Sequence, residues 1–245
     1  NAGYTNPLEH VVARAENLTQ FDNNIISSAL YNNTSDVVTL FEYSDSKGSN
    51  FTIPSLTNFG YTSTNGLTIN GTGFNDVISD RGEWNGTGAL NISSGDGVDI
   101  IAITTAKGSD TIDAGAGNDF VYVSGISGRS YAEDASVDGG SGTDWLVIES
   151  APALTYSLNS GVTTGFENLR SYGNGDDDLT GDATSNIIEA GAGADTIRGG
   201  DGNDTLYGYF SDNSYGYSTE GDDLLYGEAG DDTLVGGAGD DTLDG

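Results

Sequence analysis

The sequence predicts an all-β fold, a parallel solenoid in which each repeat contributes one turn and one short strand. The main observation is a nine-residue period that is clearest between Tyr172 and Gly245. Its most complete copy runs Gly199-Gly200-Asp201-Gly202-Asn203-Asp204-Thr205-Leu206-Tyr207. The same period fixes an acidic or amide residue at the sixth position and an aliphatic residue at the eighth. Self-similarity at a short fixed period is the signature of a solenoid.

The eighth position of each repeat predicts the core. Six residues of a repeat make the turn and three make the strand, where side chains alternate between the two faces. The eighth side chain therefore points inward. Two repeats close one coil, so that equivalent strands stack about 4.8 Å apart. In the final block this aliphatic ladder consists of Leu179, Ile188, Ile197, Leu206, Leu225, Leu234 and Leu243.

The sixth position predicts metal ligands. The candidate ligands are Asp76, Asp99, Asp110, Asp119, Asp144, Asp177, Asn186, Asp195, Asp204, Asp223, Asp232 and Asp241. These side chains and the carbonyls of glycine-rich turns supply only oxygen, and Ca²⁺ is a hard ion that takes about 6–8 oxygen ligands. The absence of cysteine and the single histidine argue against zinc or copper. The sequence therefore predicts multiple Ca²⁺ ions in the turns.

The stacking rule divides the predicted ions of the final block between two sides. One side stacks the repeats of Asp177, Asp195, Asp223 and Asp241, and the other stacks those of Asn186, Asp204 and Asp232. These repeats enclose up to five sites, and the site of Asn186 and Asp204 is expected to be the weakest because one carboxylate is missing. In the middle block, Asp99 and Asp119 are expected to share an ion. Fifth-position side chains are expected to face water; they are Asp176, Asp222, Asp231 and Asp240.

The chain divides at about residue 70. Residues 1–70 carry only a faint repeat and are interpreted as a degenerate or capping β-rich segment, with strands predicted at Val37–Tyr43 and Phe51–Leu56. Residues 71–245 are interpreted as the roll, with a loop inserted at residues 208–217. The aromatic residues of the loop suit a surface that recognises a protein or a sugar. The alternative is that they pack back on the roll as a satellite cluster. The residues concerned are Tyr209, Phe210, Tyr215 and Tyr217.

These repeats resemble the repeats-in-toxin (RTX) family of secreted bacterial proteins. The sequence Gly165-Phe166-Glu167-Asn168-Leu169 also resembles a common entry sequence to such arrays. The resemblance implies a right-handed parallel β-roll, export by a type I system through a C-terminal signal, and folding only where calcium is millimolar. It places the protein outside the cell or on the bacterial cell surface.

Charge and composition exclude several classes of function. The chain has 7 Lys+Arg against 38 Asp+Glu, a formal net charge of −31, which repels nucleic acid and anionic membranes. No apolar run approaches the roughly 20 residues of a membrane span. His10 is the only histidine, and neither a His-Glu-x-x-His nor a Gly-x-Ser-x-Gly motif occurs. We therefore expect no enzyme active site in this sequence.

Two functions are consistent with these observations. The first is a calcium-dependent extracellular structural or assembly module of a bacterial cell-surface protein, of the surface-layer, filament or adhesin type. Its partners would be calcium ions and copies of itself or surface glycans. The alternative is an export and folding module of a type I-secreted hydrolase or toxin whose catalytic domain lies outside this segment. We expect the sequence to be part of a longer protein, since it stops at the first residue of another repeat.

Overall fold

The computed structural model describes residues 11–14, 36–41, 50–52, 67–79, 89–103, 110–125, 136–150, 153–210 and 221–245. Every regular element in these residues is a β-strand, and they contain no helix that could cross a membrane. In chain order the strands are β1 Val11–Arg14, β2 Asp36–Phe41, β3 Asn50–Thr52, β4 Leu67–Thr72, β5 Val77–Ser79, β6 Leu90–Gly95, β7 Ile100–Ile103, β8 Thr111–Asp113, β9 Ala116–Gly117, β10 Phe120–Gly125, β11 Ser136–Asp138, β12 Ser141–Gly142, β13 Trp145–Ser150, β14 Thr155–Ser157, β15 Thr163–Thr164, β16 Asn168–Gly173, β17 Asp178–Thr180, β18 Ile187–Gly191, β19 Thr196–Asp201, β20 Thr205–Tyr207, β21 Leu224–Ala229, β22 Thr233–Val235 and β23 Thr242–Asp244.

The strands form stacked parallel sheets, and the chain alternates between them. The largest sheet has nine strands in the order β22-β20-β18-β16-β13-β10-β7-β5-β3. The intervening strands form a seven-stranded sheet, β1-β2-β4-β6-β8-β11-β15, and then a five-stranded sheet, β14-β17-β19-β21-β23. A short two-stranded sheet, β12-β9, lies in the turns. Regular alternation between parallel sheets winds the chain as a solenoid, so the predicted parallel β-roll is confirmed.

The described strands before residue 70 join the same stack. The strand β2 pairs with β4 and β3 pairs with β5, both in parallel register. These strands overlap the two segments, Val37–Tyr43 and Phe51–Leu56, that the sequence predicted as strands. The sheets of the roll therefore extend into the part of the chain where the nine-residue repeat is faint.

The eighth-position residues stack in register along each sheet. In the nine-stranded sheet Ile101 pairs with Val121, and Val121 pairs with Leu146. In the five-stranded sheet Leu179 pairs with Ile197. All five side chains are at most 1% exposed and belong to one continuous hydrophobic cluster. Burying an aliphatic side chain of this size stabilises the fold by about 1.5–3 kcal/mol.

The ladder is less well covered at its last coil. Leu234 is only partly buried, and Leu243 is 48% exposed. A coil buries its aliphatic residue by packing between the coils on either side, and within the described residues β22 and β23 are the end strands of their sheets. The position of each residue in the ladder is as predicted, and only the extent of burial differs.

Glycine allows the turns to stack closely. Gly200 has a φ of 108° and Gly202 has a φ of 132°, a backbone conformation that residues with a side chain rarely adopt. A Cβ at Gly200 would collide with the carbonyl of Asp182 in the neighbouring coil. A Cβ at Gly202 would lie 2.6 Å from the carbonyl oxygen of Thr184. The turns of neighbouring coils are therefore in backbone-to-backbone contact, with main-chain carbonyls between them.

Candidate calcium sites in the stacked turns

Sixth-position residues, together with Glu167, form a row along the turns that lead into the nine-stranded sheet. We call this set the long row; its members are Asp76, Asp99, Asp119, Asp144, Glu167, Asn186, Asp204 and Asp232. Asp99 Oδ1 accepts a hydrogen bond from the backbone N–H of Asp76 at 2.7 Å, and Asp119 Oδ1 accepts one from Asp99 at 2.7 Å. The hydrogen bond between Glu167 and Asn186 differs from the others of the row. Here the side-chain amide of Asn186 donates to the backbone carbonyl of Glu167 at 3.0 Å.

A second set, the short row, lies along the turns that lead into the five-stranded sheet. Its members are Asp177, Asp195, Asp223 and Asp241. The N–H of Asp177 donates to Asp195 Oδ1 at 2.7 Å, and the N–H of Asp195 donates to Asp223 Oδ1 at 2.8 Å. The structure therefore brings together the neighbours that the repeat pairs on each side of the final block.

Asp110 differs from the other candidate ligands in its neighbour. It lies on the side of the seven-stranded sheet, where its Oδ1 atom accepts the backbone N–H of Leu90 at 2.7 Å. Leu90 occupies the sixth position of the preceding coil and supplies no carboxylate. Leu154 has the same relation to Asp177 at the start of the short row. The gaps at these two leucines have one carboxylate from the sixth positions, whereas a gap between two aspartates of a row has two.

The second carboxylate oxygen is the unusual feature of the rows. The Oδ2 atoms of Asp119, Asp144, Asp195, Asp204 and Asp232 are buried and have no hydrogen-bond partner. The first four of these residues are at most 1% exposed. A buried anionic oxygen without a hydrogen-bond donor or a counterion is strongly unfavourable. The rows therefore require compensation by a proton or by a cation.

Burial changes the proton affinity of the same carboxylates. Loss of hydration, together with the nearby charges of Asp177 and Asp223, raises the pKa of Asp195 to about 7. Loss of hydration likewise raises the pKa of Asp119 and of Asp144 to about 6, and Glu167 adds to the effect at Asp144. Carboxylates that repel one another in a dry environment favour a shared cation.

Main-chain carbonyls meet the carboxylates at the first position of each turn. A Cβ at Gly199 would collide with Asp204 Oδ2 and would lie 2.8 Å from the carbonyl oxygen of Gly227 in the next coil. Gly208 has the same relation to Asp223 Oδ2. Gly208 therefore takes the first position of the turn that ends at Asp223, although it lies within the predicted inserted segment 208–217.

The donor set fits a hard divalent cation. In the described part of the chain no three or more His, Cys, Asp or Glu side chains form a metal cluster. Each gap within a row would instead combine two side chains, from one coil and the next, with turn carbonyls. A set made entirely of oxygen suits Ca²⁺, and backbone carbonyls are ordinary Ca²⁺ ligands. The gap between Asn186 and Asp204 has one carboxylate and one amide.

The fifth-position residues form their own exposed row. The side chain of Asp176 accepts the N–H of Ala194 at 2.9 Å, and the side chain of Asp222 accepts the N–H of Asp240 at 2.8 Å. Asp176 and Asp222 are exposed, in line with the expectation that fifth-position side chains face water. Their hydrogen bonds to the next coil were not predicted, since they depend on the register between coils.

Glu167 is a member of the long row that the nonapeptide pattern does not identify. Its Oε2 atom accepts the N–H of Asp144 at 2.8 Å, in the same way as the Oδ1 atoms of the other members. Its sequence spacing from the next core residue could have identified it. Glu167 lies two residues before the buried Leu169, as each sixth-position aspartate lies two residues before its aliphatic residue.

The start of the inserted segment packs on the outer face of the roll. Phe210 is 6% exposed, and its ring lies 4.9 Å from the ring of Tyr172 and against Gly191. The guanidinium of Arg170 lies within 5.9 Å of the Phe210 ring centre. The structure thus places Phe210 in a satellite cluster, the arrangement that was the alternative to a recognition surface.

The other aromatic residues of the segment differ in what the structure describes. The ring of Tyr209 lies 6.0 Å from that of Tyr207 in an edge-on arrangement. Tyr215 and Tyr217 lie outside the described residues. The recognition role predicted for this segment therefore stays a prediction.

The fold and the rows define the class of protein, a parallel β-roll whose turns carry buried carboxylates between successive coils. A family model described as the RTX calcium-binding nonapeptide repeat matches in four copies, at residues 103–125, 172–206, 180–214 and 217–245. The matched segments of the chain are RTX calcium-binding nonapeptide repeats, as the resemblance in the sequence indicated. Comparisons with curated proteins and with solved structures gave no significant match.

Proposed function

We propose that Ca²⁺ ions bind between neighbouring nonapeptide turns in both rows, and that the chain folds as a calcium-dependent module outside the cell. The observation that carries this proposal is the buried, unpartnered Oδ2 atom in successive coils, as at Asp119, Asp144, Asp195 and Asp204. An ion in each gap neutralises two coils at once. Because the gaps exist only when the coils are stacked, the binding free energy of the ions contributes directly to folding.

The charge of the chain and the chemistry of calcium support the extracellular location. With a formal net charge of −31, the metal-free chain repels itself and compact states are disfavoured. Extracellular calcium modules have dissociation constants of about 10⁻⁴–10⁻³ M. A module of this kind stays unfolded where free calcium is scarce and folds where it is abundant. This behaviour suits passage through a narrow type I export channel, which is typical of proteins with RTX repeats.

Circular dichroism of the purified chain tests the calcium proposal. In calcium at millimolar concentration we expect the far-ultraviolet signal of β-structure, and an excess of chelator should convert it to that of coil. Restored calcium should restore the signal, whereas magnesium at the same concentration should be much less effective because it favours a smaller, more rigid site. A β-signal that is unchanged by chelator contradicts the proposal.

We further propose a structural or assembly role in a bacterial cell-surface protein, with no catalytic activity of its own. Two features support it. The continuous sheets give the roll a regular, extended scaffold, and the acidic side chains of its rows are committed to hydrogen bonds between coils. Stable scaffolds of this kind present surfaces to partners, and the candidate partners are further copies of the chain or surface glycans.

Electron microscopy and analytical ultracentrifugation test the assembly role. We expect oligomers or ordered arrays in calcium that dissociate in chelator. A chain that is monomeric in calcium at high protein concentration contradicts self-assembly. That result would favour the alternative role, an export and folding module for a secreted hydrolase or toxin.

A further inference from the structure

The turn that contains Glu167 is shorter than a regular turn of the roll. In the repeat that begins at Gly199, four residues separate this first-position glycine from Asp204. Only Phe166 separates Gly165 from Glu167. The shortening removes three residues from the turn, which is why the nine-residue period fails at this point.

Hydrogen bonds identify Gly165 as the first residue of this shortened turn. The N–H of Gly139 donates to the carbonyl of Thr164, the residue before Gly165, at 2.9 Å. At a regular turn, the N–H of Gly181 donates to the carbonyl of Arg198, the residue before Gly199, also at 2.9 Å. Gly165 and Gly199 therefore occupy equivalent positions.

Glutamate compensates for the missing residues. The side chain of Glu167 reaches the long row and accepts the N–H of Asp144 at 2.8 Å. The strand that follows is in normal register, since Leu169 pairs with Leu146 and with Ile188. Phe166 is 3% exposed and belongs to the hydrophobic core cluster. The carboxylate is thus retained in the row even though the turn that carries it has changed.

Three oxygen groups come together at this turn. Asp144 is fully buried, and its Oδ2 atom has no hydrogen-bond partner. A Cβ at Gly139 would collide with the carbonyl of Gly165 and would lie 3.0 Å from the Asp144 Cβ. The carboxylate of Asp144, the carboxylate of Glu167 and the carbonyl of Gly165 therefore border one gap, as a sixth-position pair and a glycine carbonyl do at a regular turn.

We propose that Asp144, Glu167 and the Gly165 carbonyl bind a divalent cation, an additional site outside the nonapeptide pattern. The inference rests on the proposed function, because it assigns the same ion, Ca²⁺, to a further gap. The site joins the middle repeats to the final block. With it, the long row is continuous from Asp76 through Glu167, and the two groups of repeats fold as one unit.

Glu167→Gln tests the site in the full chain. Glutamine keeps an oxygen that can accept the Asp144 N–H but removes the charge. Glu228→Gln is the matched control, because Glu228 is exposed and belongs to neither row. Equilibrium dialysis in saturating calcium, followed by elemental analysis, gives the number of ions bound per chain. We expect Glu167→Gln to bind one ion fewer than the wild-type chain and Glu228→Gln to bind the same number.

An unchanged number of ions in folded Glu167→Gln overturns the proposal, since glutamine preserves the hydrogen bond and removes only the charge. If Glu167→Gln does not fold, Glu167→Asp decides the question. Folding of Glu167→Asp at a calcium concentration several-fold above that of the wild-type chain supports the site, whereas failure to fold at any calcium concentration overturns it. A wild-type chain that binds no calcium would refute the proposed function itself, an outcome distinct from these.

Discussion

Asp195→Asn removes one charge from the middle of the short row and leaves the shape of the side chain unchanged. Asp195 Oδ1 accepts the N–H of Asp177 at 2.7 Å, and the amide oxygen of asparagine can accept the same bond. The N–H of Asp195 donates in turn to Asp223. The substitution therefore weakens two proposed ion sites, one on each side of residue 195, without deleting a hydrogen bond between coils.

The expected effect has opposite signs with and without calcium. With calcium, the substitution removes one anionic ligand from each of two sites, and we take the loss of calcium affinity as about tenfold per site. Each tenfold loss costs about 1.4 kcal/mol of stability, or about 3 kcal/mol for the two sites. Without calcium, burial raises the pKa of Asp195 from 3.8 to about 7, so the ionised side chain opposes folding at pH 7.5 by at most about 4 kcal/mol. Water that reaches the partly open turn reduces this value. Asparagine relieves that cost.

A calcium titration followed by far-ultraviolet circular dichroism at pH 7.5 measures both effects. We expect the calcium concentration at the folding midpoint to rise for Asp195→Asn. In chelator the variant should keep at least as much β-signal as the wild-type chain. Asp222→Asn is the control, since it makes the same chemical change at an exposed fifth-position residue whose side chain also accepts a hydrogen bond from the next coil.

Two results would refute this reasoning. Equal shifts of the calcium midpoint for Asp195→Asn and Asp222→Asn would show that the buried row has no special role in binding. A calcium midpoint for Asp195→Asn below that of the wild-type chain would show that the charge of Asp195 opposes folding even in calcium, contrary to a role as an ion ligand.

Three further predictions concern the core, the turns and pH. Leu206→Ala should lower the free energy of unfolding in calcium by about 2–5 kcal/mol, seen as a lower urea midpoint, because Leu206 is fully buried. Gly202→Ala should lower the free energy of unfolding by about 1–3 kcal/mol or more, seen as a lower melting temperature, because the φ of Gly202 is 132°. Ala183→Gly, a control at an exposed turn residue, should be nearly neutral. Burial raises the pKa of Asp119 to about 6, so protons compete with calcium and the calcium midpoint should rise as the pH falls below about 6. In chelator the sign reverses: this folded-state pKa exceeds the unfolded value of 3.8, so the metal-free roll should gain stability as the pH falls through about 6.

The regular part of the fold could be predicted because one period controls both the core and the turns. Alternation in a strand fixes Leu206 as an inner residue, and the same count places Asp204 in the turn beside its neighbours in the row. Parallel stacking of equivalent repeats then follows from closing one coil with two repeats. The pairing of Asp195 with Asp177 needed no information beyond this period, and the pairing with Asp223 needed only the recognition of the inserted segment 208–217.

The features that the sequence did not predict all depend on contacts between coils or on a broken period. Glu167 reaches the long row across a turn that has lost three residues, so a search at nine-residue spacing cannot find it. Phe210 is buried because Gly191, distant in sequence, leaves space for its ring on the outer face of the sheet. The hydrogen bond from Ala194 to Asp176 depends on the register of two coils. Local pattern describes one repeat, whereas these contacts belong to pairs of coils.

The hydrogen bonds of the rows have a direction, and this direction has a consequence for how the roll assembles. In the short row the donor is the backbone of the earlier coil and the acceptor is the side chain of the later coil, as from Asp177 to Asp195 and from Asp195 to Asp223. A coil that is already in place thus offers an acceptor to the coil before it in the chain. A growing roll therefore offers side-chain acceptors at its N-terminal edge and backbone donors at its C-terminal edge, so the two edges are not interchangeable.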